Sequence, residues 1–347
     1  MKNLINTIGR VVEPSTVDFT TCIINEPESD QVVVKIVSSA ICGSDLHIFK
    51  GKHPSAPLPV TIGHEFSGDV IAVGSSVQNI KIGERVTVEP VITCGECKAC
   101  KTGNYGYCEN ISYTYRNGDG AMAKYITVKA AHVFILPSHL SYDTAALIEP
   151  LAVAVHAVKR ANIALGKHIM VLGGGTIGLL IAALCRKNGA SKVIVVDHSP
   201  EKLALALTLG ATSVINTRKS DLYTELADVT DDGLVDKSFE CVGVQDTLVQ
   251  AMKVLRKNGL ATILGIFEDQ DVRIPVSLFV SHEIKVQGSQ GYCWDFPTAI
   301  ELSKDIELDK LITHTFKLED LQQALETSLD RTSGAVKVLV NPSSPKL

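Results

Sequence analysis

The sequence predicts an α/β protein, with a mostly-β, barrel-like domain followed by a doubly wound parallel sheet. Three observations carry this. Up to about residue 140, short β-type runs are split by Gly, Pro and polar turns. From about Leu151, apolar strand candidates alternate with helical stretches, the pattern of a parallel sheet covered by helices. After about residue 288 comes a tail too short to be a domain, which is expected to return to the first one. The expected division is therefore 1–151, 152–287 and the return segment 288–347.

In the first part, VVVKIV (Val32 to Val37), GDVIAVG (Gly68 to Gly74) and RVTVEP (Arg85 to Pro90) read as antiparallel strands. In the second, HIMVLG precedes the helix-like TIGLLIAALCRKNG, and KVIVVD precedes SPEKLALALTLGA. Ser199 suits a helix cap, Pro200 the first turn and Gly210 the stop. SVIN, DKSFECVG, a helix around Thr247 to Leu255, and LATILGIF continue the alternation. LATILGIF followed by VRIPVSLFV supplies either an apolar sheet edge or buried core strands. In the tail, WDFPTAIELSKDIE and LEDLQQALETSL read as helices and AVKVLV as a final strand.

Composition narrows the function classes. Of 347 residues, 45% are hydrophobic and 20% charged, enough apolar material for a sizeable core. A net charge of −5 without basic runs gives no reason to expect nucleic acid or anionic membranes as partners. The N-terminus lacks an apolar signal core, so a cytoplasmic protein is expected. The longest uncharged stretch, Ile169 to Cys185, holds Gly173, Gly174 and Gly175 in a row, which suits a turn better than a membrane span.

Gly173-Gly174-Gly175-Thr176-Ile177-Gly178 fits Gly-x-Gly-x-x-Gly between a strand and a helix. Positions without side chains let the backbone approach a pyrophosphate, and the helix N-terminus attracts its charge. A second strand ends at Asp197, placed to accept hydrogen bonds from an adenosine ribose and to repel a 2′-phosphate. The second domain is thus a Rossmann candidate for NAD, with Gly173, Gly175, Thr176, Ile177, Gly178, Asp197 and Lys202 as cofactor-binding residues. The competing reading of Asp197 is a plain helix cap.

Four of the nine cysteines, Cys94, Cys97, Cys100 and Cys108, cluster closely enough to surround one tetrahedral zinc. With no coordination position left open, such a site is structural. Cys42, His64 and Glu65 offer the ligand types of a catalytic zinc that keeps one position open.

CGSDLH, GHEFSGDV, the four-cysteine stretch, IEPLAVAVHA and VLGGGTIG, in that order, resemble the medium-chain zinc alcohol dehydrogenases, closest to the sorbitol and other polyol dehydrogenases. The resemblance spans about residues 8 to 340. It implies a GroES-like catalytic domain with the zinc lobe at about residues 90–110, and assembly as a homodimer or homotetramer. It also implies two zinc ions, one catalytic and one structural, and NAD as hydride acceptor from a small alcohol. Cys42 and His64 would hold the catalytic zinc. Glu65 would be the third ligand or sit just behind it, and Glu149 would coordinate or hold a water. Asp45 would orient a ligand. Ser44 would accept the substrate proton and His47 would pass it toward solvent.

Two departures bear on substrate. Where polyol enzymes carry arginine before a Tyr-Cys pair, Gly291 stands in Gln290-Gly291-Tyr292-Cys293-Trp294, and Ile48-Phe49 replaces an aromatic pair. Phosphorylated polyols, inositol derivatives, vicinal diols and amino alcohols all stay open, so a threonine- or butanediol-type enzyme is an alternative. Trp294 reads equally well as pocket or core. From other classes, a non-catalytic NAD- or zinc-binding protein and a zinc-free NADPH quinone reductase remain. The intact ligand set argues against both.

Overall fold

The computed structural model describes residues 4–53, 56–117, 120–269 and 271–343. The chain divides into two compact units, one running to Glu149 and resuming at Phe296, the other Pro150–Asp295.

The first unit is built on a seven-stranded sheet. Its backbone path runs Ile312–Lys317, Lys337–Asn341, Gln31–Ala40, Glu65–Val73, Arg85–Val88, Val133–Ile135, with Tyr125–Lys129 also paired to Gln31–Ala40. Gln31–Ala40 is central, which explains its near-continuous apolar run. Val32, Val33, Val34 and Ile36 are all fully buried. One core joins Val32, Val34, Ile36, Phe66, Val70 and Val86. Another gathers Val11, Phe49, Ile62, Leu321 and Val340. The tail returns to this unit through two strands that pair parallel to each other, while the sheet's other pairs are antiparallel. The helix Leu321–Leu329 links these two strands and supplies the crossover a parallel pair needs. It docks by Leu321, Ala324 and Leu325, spaced i, i+3, i+4.

The second unit is a six-stranded parallel sheet. Its order is Ser213–Asn216, Lys192–Asp197, His168–Leu172, Val235–Glu240, Leu255–Ile263, Lys285–Gly288. This is the doubly wound order with the switch point beside His168–Leu172. Ser199 caps the helix Pro200–Thr208 by accepting the Lys202 amide, as its sequence position implies. VRIPVSLFV departs from both expectations, since it contains no strand and instead carries the short helix Ser277–Ser281. Pro275, which has no N–H for a ladder, sits in its middle. The sheet edge is Lys285–Gly288 instead. Among the described residues, no helix is long and apolar enough to cross a membrane.

Candidate active site

In the first unit, Cys42 leads into the helix Gly43–Phe49. Asp45, at the third helical position, is fully buried. Its carboxylate accepts the Cys42 amide at 2.9 Å and the Gly63 amide at 3.1 Å, and lies 3.7 Å from His64 Nδ1. One side chain thereby ties together the two segments that carry the candidate ligands. Gly63 has φ +95°, and a Cβ there would stand 3.0 Å from the Met122 nitrogen, so the chain enters His64 only with glycine before it. Tyr115 packs its ring 5.2 Å from that of His64.

The donor atoms of Cys42, His64 and Glu65 all lie within 4.8 Å of one another. A thiol, an imidazole and a carboxylate at that spacing suit one cation with a position left open. Burial alone would lower the His64 imidazole, but the charges of Asp45 and Cys42 outweigh it and raise it well above its usual range. The surroundings that favour an imidazolium equally favour a metal ion. Glu149 is buried in the first turn of the helix Ile148–Ala161 and is not one of the clustered three. Ser44 and His47 are both half-buried and three residues apart on one helix, so they share a face.

Cys94, Cys97, Cys100 and Cys108 form the second cluster, again with sulfurs within 4.8 Å. All nine cysteines are free thiols, so no disulfide ties up these four. The amides of Cys94 and Cys97 point at the sulfurs of Cys108 and Cys94, each at 3.4 Å. Hydrogen bonds from the backbone around Cys100 and Glu109 pull the Cys97 thiol down to about 6, while burial pushes Cys100 up to about 12. Four crowded sulfurs cannot all ionise without a cation among them, and zinc supplies that charge.

In the second unit, the strand His168–Leu172 runs into Gly173–Gly175 and the helix Thr176–Lys187. A Cβ on Gly178 would fall 1.9 Å from the Gly173 carbonyl oxygen, so that position admits only glycine. A Cβ on Gly175, the residue capping the helix N-terminus, would meet nothing within 4 Å. That open space is where an anion would sit. Asp197 accepts the amides of Gly174 (2.7 Å), His198 (2.7 Å) and Ser199 (2.9 Å), which locks the strand end against the glycine loop. Ser199 and not Asp197 caps the following helix, so the plain cap reading does not apply; Asp197 braces the turn before that helix and lies beside the glycine loop. The Lys202 side chain flanks Gly174 on the same side.

Comparison with known proteins decides the family. The profile of the alcohol dehydrogenase GroES-like domain matches residues 28–138, and that of the zinc-binding dehydrogenases matches 176–305. A sorbitol dehydrogenase of Bacillus subtilis is 36% identical over 320 residues, covering 90% of this chain and 91% of that one.

The chain belongs to the medium-chain zinc alcohol dehydrogenases.

It is thus a zinc-dependent oxidoreductase of the alcohol/polyol class. The solved 2R,3R-butanediol dehydrogenase of B. subtilis superposes with a TM-score of 0.89 at 33% identity, covering 97% of this chain and 100% of that one. A Sinorhizobium meliloti 1021 structure, provisionally described as a zinc-binding dehydrogenase and bound to NADP, gives 0.91 at 33% identity over 98% and 100%.

Two features of this dehydrogenase escaped the sequence. Lys337 is 3% exposed and donates to Glu65 Oε2 at 2.7 Å. Breaking such a buried pair costs roughly 3–5 kcal/mol. Asp295 is fully buried and holds His156 Nδ1 at 2.8 Å and Lys159 Nζ at 2.6 Å. Neither carried a sequence signal, because each pair lies more than a hundred residues apart. Trp294 is not core. It is 64% exposed, with φ +63°, which is unusual for a bulky side chain.

Proposed function

We propose that this dehydrogenase oxidises a secondary alcohol of a polyol, sugar alcohol or diol, with NAD as the hydride acceptor. The observation that carries the reading is the convergence of Cys42, His64 and Glu65 next to a helix whose one face bears Ser44 and His47. Cys42, His64 and Glu65 would hold the catalytic zinc, and Cys94, Cys97, Cys100 and Cys108 the structural one. Glu149 is the carboxylate nearby. Bound zinc supplies Lewis acidity that lowers the pKa of a hydroxyl, and NAD supplies the hydride acceptor.

The protein's part is positional and protonic. Asp45 fixes the geometry of the Cys42 and His64 segments. Ser44 accepts the hydroxyl proton, and His47, one turn on, releases it to solvent. Gly173, Gly175, Thr176, Ile177 and Gly178 cradle the pyrophosphate, with Lys202 alongside. Asp197 favours NAD because a 2′-phosphate placed against its carboxylate meets like charge. Sorbitol and 2R,3R-butanediol, named in two relatives, both present adjacent hydroxyls, which supports a vicinal diol unit as the reacting group.

A homodimer or homotetramer is the proposed assembly, supported by Val276 and Val280, 64% and 84% exposed, near the edge strand Lys285–Gly288. The free thiols fit the reducing cytoplasm. The test is a panel of polyols, diols and amino alcohols with NAD and NADP, before and after chelation. Turnover of vicinal diols with NAD, lost on chelation and in Cys42→Ser, is expected. NADP used as well as NAD, or activity that survives chelation, would overturn the reading.

A further inference from the structure

Lys337 lies on the final strand, Lys337–Asn341, and reaches the metal cluster through sheet register alone. Leu339 pairs with Ala40, and Ala40 pairs with Glu65 on the other side. The ammonium donates to Glu65 Oε2 at 2.7 Å and to the Ile41 carbonyl at 3.0 Å, with Lys337 and Glu65 only 3% and 1% exposed. A buried lysine is costly, and an apolar residue of the same length would pack there at lower cost if filling space were its only task. The geometry supplies a different reason: the ammonium occupies one oxygen of a carboxylate whose donor atom clusters with those of Cys42 and His64.

We infer that Lys337 is a positioning residue of the catalytic metal site: it holds Glu65 by Oε2, leaves the other carboxylate oxygen for the metal, and so keeps a coordination position open for substrate. The inference rests on the reading of Cys42, His64 and Glu65 as zinc ligands. Without the ammonium, both oxygens of Glu65 turn to the cation. The position meant for the hydroxyl is then filled from within the protein. Lys337 touches neither substrate nor cofactor in this account. It acts entirely through Glu65.

The experiment uses full-length enzyme with cobalt exchanged into the catalytic site, and follows the visible spectrum alongside kinetics. Cys42→Ser protein supplies the baseline for metal bound only in the four-cysteine lobe. If wild type and Cys42→Ser give the same spectrum, the metal assignment itself fails, whatever Lys337 does. If they differ, Lys337→Met should weaken the visible bands toward those of a higher coordination number. It should also lower kcat by about 10- to 100-fold, the usual effect of disturbing a ligand's partner, and leave KM for NAD unchanged. A purely structural role would lower the melting temperature without altering the spectrum of the folded fraction. An unchanged cobalt spectrum in Lys337→Met therefore overturns the inference. Should Lys337→Met not fold, Lys337→Arg decides, since it keeps the charge and must keep the wild-type spectrum. A weakened spectrum in Lys337→Arg would equally overturn it.

Discussion

Replacing Asp45 with alanine should damage both the fold and the metal site, by separable amounts. The carboxylate accepts two backbone amides, Cys42 at 2.9 Å and Gly63 at 3.1 Å, in a place with no solvent access to the side chain. Each amide left without an acceptor costs about 1–3 kcal/mol, so the pair amounts to about 2–6 kcal/mol. The carboxylate also faces His64 Nδ1 at 3.7 Å, where it orients the imidazole. Losing such a partner weakens metal binding by about 10- to 100-fold. Urea unfolding of chelator-treated protein isolates the hydrogen-bond cost, because metal linkage is then absent. Competition with a zinc-sensitive dye measures the second effect. Asp45→Asn is the control: its amide oxygen keeps one of the two acceptor positions, so its unfolding cost should be about half that of alanine. A stability of Asp45→Ala within about 0.5 kcal/mol of wild type, the range of an ordinary surface change, would refute the claim that this side chain ties the two segments together.

Gly178→Ala places a methyl 1.9 Å from the Gly173 carbonyl oxygen, which backbone atoms cannot yield. NADH binding, followed by the dinucleotide's fluorescence, should be lost, while the zinc content of the first unit stays at the wild-type level. A second prediction concerns pH. Burial alone would raise the Asp295 carboxyl, but His156, Lys159 and the Cys293 amide outweigh it and hold it below its ordinary 3.8. Because the folded-state value lies below the unfolded one, the stabilisation is complete above about 3.8 and disappears as pH falls through the folded value. The stability gap between wild type and Asp295→Asn should thus shrink as pH falls below about 3.8. A gap that widened below that value would show the sign to be wrong.

The parts of this dehydrogenase legible in its sequence are those whose chemistry is local. The four cysteines occupy fifteen consecutive positions, Cys94 to Cys108. The glycine loop, its strand and its helix are contiguous, and the strand KVIVVD runs from Lys192 to Asp197 with no adjustment of its ends. Alternating strands and helices identified the parallel sheet, since each crossover leaves its period in the chain. VRIPVSLFV was misleading because apolar content and β-branched residues say nothing about whether a proline can be tolerated in a given ladder.

Tertiary structure decided everything that depends on register between distant segments. Sequence spacing brings His64 and Glu65 together but does not bring Cys42 to them; Asp45 does, across eighteen residues. Lys337 looks like any polar residue on a final strand, and only the pairing of that strand with Gln31–Ala40 turns it toward Glu65, 272 residues away. The helical tail could be read as helix and strand, yet not as the source of the sheet's single parallel pair. Trp294, equally plausible as pocket or core from its neighbours, stands 64% exposed on a backbone of positive φ. The physical reason is common to all four. Local propensity and ligand chemistry act between residues near in sequence, whereas burial and charge pairing act between residues near in space, and only the folded sheet converts one distance into the other.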